Sequence, residues 1–150
     1  MTNQNPLRIL VVEAPYYAEI SEALAKGALA ALKKAGAEVQ RISVPGALEI
    51  PAAIRFALAG KWDGFVALGC VIRGETSHYE IVCNESARGC QELAIHHSLA
   101  IGFGVLTVEN DEQAWVRADP ARGDKGGDAA RACLAMIALR RELAAQTQTR

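Results

Sequence analysis

Apolar and polar positions divide the chain into four short apolar runs and intervening segments with helical spacing. The runs at residues 7–12, 39–44, 64–71 and 100–108 are nearly continuous, which is typical of strands buried on both faces. Helical spacing follows each run, with stops at Gly36 and Gly60, and two further helices are predicted over residues 111–118 and 127–143. Strands that alternate with helices predict a doubly wound α/β sandwich around a parallel sheet.

Length and composition restrict the class of protein. The chain has 150 residues, of which 51% are hydrophobic and 22% charged, so it fits one domain, residues 1–150, with frayed ends at 1–6 and 146–150. A net charge of -1 without a basic cluster argues against nucleic-acid binding. No apolar run approaches the roughly 20 residues of a membrane helix, and the first run is too short for a signal peptide. The sequence therefore predicts a soluble, cytoplasmic protein without membrane partners.

The four cysteines do not have the spacing of a metal site. Cys70, Cys83, Cys90 and Cys133 form no Cys-x-x-Cys pair and no zinc-like arrangement with the three histidines. We therefore expect small buried thiols and no metal.

Chemically unusual segments follow each predicted strand. In open parallel sheets, ligands bind beyond the carboxyl ends of the strands, so these segments are the ones expected to form a site. They cover residues 13–17, 45–49, 70–78 and 109–117. One site could draw on all four.

The segment after the third strand favours an anion. Gly74, Glu75 and Thr76 precede a predicted helix, whose first N–H groups can point at a phosphate. The sequence lacks a Walker loop and a dinucleotide fingerprint. His78 can move protons near neutral pH, but a helix-capping or core histidine is an equal alternative.

Other polar residues near these segments have a structural and a functional interpretation. Arg73 and Arg117 are either phosphate ligands or ordinary surface charges. Tyr16 and Tyr17 can stack on a heteroaromatic ring, but half-buried packing is the commoner fate of such a pair. Glu49 can accept hydrogen bonds from sugar hydroxyls or simply occupy the first turn of a helix. His96 and His97 lie near the end of a predicted helix, where histidine is electrostatically favourable without any function.

Several segments together resemble the lumazine synthase family. The match extends over residues 7–143 in the same order and with nearly the same spacing, and its most specific part is the stretch around Arg73 with the following His78. The segments are 44–51 (VPGALEIP), 67–78 (ALGCVIRGETSH), 83–85 (CNE), 107–114 (TVENDEQA) and 124–126 (DKG).

The resemblance implies a fold, an assembly and a set of site residues. The fold would be a flavodoxin-like three-layer sandwich with a four-stranded parallel sheet, assembled as a homopentamer or a multiple of it, with active sites between subunits. By this likeness His78 transfers protons, Arg117 clamps the phosphate, and Phe103 and Lys125 enter a neighbour's site. Further phosphate contacts would come from Gly74, Glu75 and Thr76, and pyrimidine and ribityl contacts from Tyr16, Ala47, Leu48, Glu49, Cys70, Val71, Ile72 and Phe103.

The implied reaction is a condensation in riboflavin biosynthesis. A transferase of this family joins 5-amino-6-(D-ribitylamino)uracil to 3,4-dihydroxy-2-butanone 4-phosphate and releases phosphate and water, with no cofactor. Riboflavin synthase is an expected further partner.

Three positions of the sequence depart from the family pattern. Pro15-Tyr16 replaces an Arg-Phe pair, Cys70 replaces Thr, and Leu48 replaces Phe. Pro15 matters most, because its fixed φ can reshape the loop that presents Tyr16.

Other functions are rivals of this interpretation. They are a non-catalytic flavin-binding or shell-forming paralogue, an archaeal-type riboflavin synthase, which Arg73 and Arg117 disfavour, and a flavodoxin-like electron carrier.

Overall fold

Four strands and five α-helices alternate along the part of the chain that the computed structural model describes, residues 5–148. The strands are β1 (Arg8–Ala14), β2 (Glu38–Ser43), β3 (Gly64–Ile72) and β4 (Ile101–Val108). The helices are α1 (Ala18–Lys34), α2 (Ile50–Ala57), α3 (His78–His97), α4 (Asp111–Ala118) and α5 (Lys125–Gln148), and one 3-10 turn, Ala47–Glu49, precedes α2.

The strands form one parallel sheet in the order β2-β1-β3-β4. Side chains of β1 alternate between its faces, as a strand requires. Ile9 and Val11 pack with the core of α1 and α5, whereas Leu10 and Val12 pack with that of α2 and α3. The predicted flavodoxin-like three-layer sandwich is confirmed.

β1 ends two residues later than the sequence predicts, because a charged residue is buried within it. Glu13 is 8% exposed, and Arg41 on β2 donates to both of its carboxylate oxygens at 3.0 Å. Ala14 then pairs with Gly69 of β3. The charge of Glu13 suggested that the strand ends before it. Its ion-pair partner, Arg41, lies on β2, and sequence spacing alone does not show which residues of β1 and β2 lie side by side.

The last helix is longer than predicted at both ends. α5 begins at Lys125 and ends at Gln148, whereas apolar spacing indicated residues 127–143. Residues 144–148, two alanines followed by Gln-Thr-Gln, show no apolar periodicity, so only the backbone reveals that the helix continues. Of the ends expected to fray, residues 1–4 and 149–150 lie outside the described residues.

Two glycines allow α5 to lie very close to its neighbours. A methyl group at Gly102 of β4 would lie 1.8 Å from the carbonyl oxygen of Ala129 on α5, and one at Gly126 would lie 2.0 Å from that of Leu24 on α1. Both distances are far below van der Waals contact. Only a residue without Cβ permits this packing of α5 against β4 and α1.

The cysteines are free thiols. Cys70, Cys90 and Cys133 are buried, as predicted, whereas Cys83 is partly exposed. Among residues 5–148, no three histidine, cysteine or acidic side chains are grouped to hold a metal ion. No helix in that range is long and apolar enough to cross a membrane.

Replacing Gly102 with alanine should destabilise the protein, because the added methyl group would clash with the Ala129 carbonyl. Overpacking of this kind typically costs about 1–3 kcal/mol, so the urea unfolding midpoint should fall. Gly74→Ala is the matched control, since no heavy atom lies within 4 Å of its Cβ position. Equal midpoints for the two variants would contradict the close approach of α5 to β4.

Cys90 and Cys133 should resist iodoacetamide at pH 7.5 in the folded protein. Burial raises the pKa of each thiol to about 11, which leaves roughly one thiol in a few thousand ionised. The partly exposed Cys83 provides an internal comparison and should be labelled first, as peptide mass spectrometry would measure. Urea should make all of these thiols reactive. Labelling of folded Cys133 as fast as that of Cys83 would contradict its burial.

Candidate active site

A cleft of about 340 Å³ opens where the strands of the sheet end. Its walls come from the end of β1 and the chain that follows it, the segment after β2, the last residues of β3 and the beginning of α3, as expected for a parallel sheet. Eight residues predicted from the sequence line it together: Tyr16, Ala47, Leu48, Glu49, Cys70, Val71, Ile72 and His78.

The register of the central strands places two of these walls side by side. Pairing of Ala14 with Gly69 brings the chain that leaves β1 next to the last residues of β3, Cys70 to Ile72. Burial raises the pKa of the Cys70 thiol to about 11, so this residue is a neutral wall near pH 7. The third wall is the 3-10 turn, Ala47–Glu49, which directly follows Pro45 and Gly46.

The two tyrosines after β1 have different environments. Tyr16 is 77% exposed at the mouth of the cleft, and its ring lies nearly perpendicular to that of Tyr17, with the two centroids 4.9 Å apart. Tyr17 is half-buried, and burial is the main cause of its raised pKa. Tyr16 therefore has a ring face free for stacking, and Tyr17 supports it from the side.

His78 is the first residue of α3 and is exposed toward the cleft. Its exposure rules out the core-histidine alternative. The local capping contact is made by Thr76, whose Oγ1 accepts a hydrogen bond from the His78 backbone N–H at 3.3 Å. The imidazole of His78 is thus placed where it could exchange protons with a bound molecule. His96 and His97 lie at the other end of α3, as predicted.

The loop between β3 and α3 is exposed and has little positive charge of its own. Gly74, Glu75 and Thr76 are exposed. Arg73 donates from Nε to Glu109 at 2.7 Å and from Nη1 to Glu80. The hydrogen bond from Arg73 is the main cause of the lowered pKa of Glu80. One guanidinium therefore faces two carboxylates, with Glu75 close by in sequence.

A second cleft, of about 430 Å³, runs along the free edge of β4. Phe103, Arg117 and Lys125 line it, and Phe103 is 37% exposed. Arg117 uses Nη1 to donate to the Gln113 carbonyl at 3.0 Å, and Lys125 lies 3.4 Å from Asp128. Within one chain, then, these three predicted residues come together, but they do not line the cleft of His78.

Four residues that line the first cleft were not predicted as site residues. Val82 lies one helical turn after His78 and therefore shares its face. Tyr17 and Gly46 adjoin predicted residues in the sequence, so their positions could have indicated them. The residues missed are Ala14, Tyr17, Gly46 and Val82.

Comparison with known proteins identifies relatives over most of the chain. The family model described as 6,7-dimethyl-8-ribityllumazine synthase matches residues 6–141. The chain is 56% identical to 6,7-dimethyl-8-ribityllumazine synthase 1 of Rhizobium meliloti, with 97% of this chain and 99% of that protein covered. It is 60% identical to the Bartonella tribocorum synthase over 89% of each chain. It is 58% identical to that of Novosphingobium aromaticivorans over 89% of this chain and 96% of that one. With this identity and coverage, the chain belongs to the 6,7-dimethyl-8-ribityllumazine synthase family.

Proposed function

We propose that this protein is the transferase that makes 6,7-dimethyl-8-ribityllumazine in riboflavin biosynthesis. It condenses 5-amino-6-(D-ribitylamino)uracil with 3,4-dihydroxy-2-butanone 4-phosphate and releases phosphate and water. The observation that carries the proposal is the cleft at the ends of the strands, where exposed His78 and the free ring face of Tyr16 share one cavity. Family membership supports the same reaction.

The cleft suits a flat ring with a polyhydroxyl chain. Tyr16 offers a stacking surface for the pyrimidine. Val71 and Ile72 line the ring pocket, and Glu49 is exposed in the 3-10 turn, where its carboxylate can accept hydrogen bonds from the ribityl hydroxyls. Ala47, Leu48 and Cys70 complete the walls without adding charge.

The chemistry requires juxtaposition and proton transfer, and no cofactor. The pyrimidine amine attacks the ketone and loses water to form an imine, phosphate then leaves, and ring closure with loss of a second water completes the lumazine. Amines and ketones already react in water, so the protein mainly holds the two substrates together. His78 moves protons between the amine, the departing oxygen and solvent.

Charge at the β3–α3 loop supports a site completed by a neighbouring subunit. Arg73 is engaged by Glu80 and Glu109, and with Glu75 the four side chains carry a net negative charge. A phosphate bound by the N–H groups of Gly74 to Thr76 therefore needs a further cation. Arg117 is exposed in the other cleft, so it can serve the site of an adjacent copy.

We infer a homopentamer, or a multiple of it, as the functional assembly. In a ring, each copy offers the cleft of His78 to one neighbour and the β4 edge to the other. Phe103 and Lys125 would enter the neighbour's site together with Arg117, with which they share the second cleft. Each chain would act as one domain over residues 1–150, in the cytoplasm, and supply its product to riboflavin synthase.

Replacing His78 with alanine should slow lumazine formation by about 10- to 100-fold, near the low end of the range for general acid–base catalysis. The effect should fall on kcat, followed by lumazine fluorescence with both substrates against the uncatalysed rate. His97→Ala, an exposed histidine at the far end of α3, is the matched control and should retain full activity. A wild-type protein no faster than background would contradict the enzyme and favour a flavin-binding or shell-forming paralogue.

Replacing Arg117 with alanine should raise KM for the butanone phosphate by about 10- to 100-fold, because a charge-assisted hydrogen bond is lost. Co-expression of Arg117→Ala chains with His78→Ala chains should restore activity. If each site takes one residue from each of two neighbours, random rings retain about a quarter of intact sites. Activity no greater than the sum of the two separate variants would place both residues in the site of a single chain.

A further inference from the structure

One guanidinium connects the two clefts of the chain. We propose that Arg73 is a positioning residue, an inference that rests on the proposed function. Arg73 holds the first turn of α3, where His78 lies, against the connection between β4 and α4. Helix α4 carries Arg117. Arg73 lies between β3 and α3 and lines neither cleft.

On one side, Arg73 contacts the two residues that follow His78. Its Nη1 donates to the carboxylate of Glu80, and its guanidinium carbon lies 4.3 Å from the centroid of the Tyr79 ring. Both partners belong to the first turn of α3. These contacts therefore restrain the segment of backbone from which the His78 imidazole projects.

On the other side, Arg73 contacts the end of β4. Its backbone N–H donates to Val108 at 2.9 Å, and its Nε donates to Glu109 at 2.7 Å. The Glu109 backbone N–H in turn donates to the side chain of Gln113 at 2.8 Å.

The Gln113 carbonyl accepts from Arg117 at 3.0 Å. A continuous chain of hydrogen bonds thus leads from the turn of His78, through Arg73 and Glu109, to Arg117.

The geometry requires arginine and not just a positive charge. A planar guanidinium can donate to two carboxylates in different directions while its face stacks on a ring, whereas a lysine ammonium is a point charge on a flexible stem. Glu80 and Glu109 are about half exposed, and exposed ion pairs contribute little to stability. Loss of Arg73 should therefore displace the site residues without unfolding the protein.

The test measures kcat and KM for both substrates in Arg73→Lys, Glu109→Gln and the double variant. A displacement of about 1 Å can cost about 100-fold in rate, so a smaller shift should lower kcat about tenfold in Arg73→Lys. KM for the butanone phosphate should rise only slightly, far less than the roughly 10-fold or more expected for Arg117→Ala, because Arg73 does not bind the phosphate and Arg117 keeps its own hydrogen bond to the Gln113 carbonyl. Glu109→Gln should lower kcat less, and the double variant should be no slower than Arg73→Lys, since both remove the same contact.

The matched control is Arg88→Ala on the same helix. Arg88 also pairs with two carboxylates, Glu85 and Glu92, at 2.6 Å each, but lines neither cleft. It should retain the wild-type kcat. Urea midpoints and the mass of the assembly should be the same for all variants, which separates a positioning effect from a loss of structure.

Three results would overturn the proposal. Wild-type kcat in Arg73→Lys would mean that charge alone suffices at this position. A rise in KM for the butanone phosphate as large as that of Arg117→Ala, at unchanged kcat, would make Arg73 a direct phosphate ligand. A loss of activity that parallels a lower urea midpoint would make its role structural. If the unsubstituted protein forms no lumazine above background, the proposed function itself fails, and the role of Arg73 in it fails too.

Discussion

The parallel pairing of β1 with β3 is the contact on which the rest of the molecule depends. These two strands form the centre of the sheet, and Ile9, Val11, Val12 and Val66 are completely buried in it. Full burial of each such side chain contributes about 1.5–3 kcal/mol, so the register between the strands is firmly held. That register brings the Tyr16 segment beside the end of β3 and the beginning of α3. The packed core therefore fixes the walls of the cleft without help from a ligand. The groups that would react lie on the connections that surround the cleft.

Much of this arrangement could be predicted from the sequence, and its errors have physical causes. Apolar runs and helical spacing predicted every strand and helix, because burial on both faces of a parallel sheet leaves a clear pattern. The end of β1 was wrong because Glu13 is charged yet buried beside Arg41, a pairing across strands that only the register reveals. The rule that sites lie beyond the carboxyl ends of parallel strands predicted the segments that form the cleft, and the family resemblance named eight of its residues within them. The separation of Arg117 from His78 was not predicted, because chain order does not show on which side of the sheet edge α4 lies.

The distribution of charge explains why a separated Arg117 is consistent with a phosphate site. Gly74, Glu75 and Thr76 of the β3–α3 loop are exposed and could offer their N–H groups to an anion, but Arg73 in this loop is already engaged by Glu80 and Glu109. In the second cleft, exposed Arg117 and Lys125 share the lining with one acidic residue, Asp128. The cation of the loop is already engaged and the second cleft supplies two exposed ones, so these two surfaces of the same chain are electrostatically complementary. In the proposed ring, that complementarity would favour the arrangement in which the β4 edge faces a neighbour's loop.

The exposure of the groups proposed to react gives assembly a second consequence. In a single chain His78 and Arg117 are exposed, and Tyr16 is 77% exposed, so water has free access to the groups expected to react. In water, an arginine attracts a phosphate weakly, whereas the same pair in a site of lower effective dielectric interacts several times more strongly. A neighbour that covers the cleft would remove that water and deliver the cation in the same step. The fold alone would then supply the shape of the site and the orientation of His78, and the contact between subunits would supply most of the electrostatic stabilisation. This division explains how a cleft with a single exposed histidine can serve a reaction whose main requirement is to hold two substrates together.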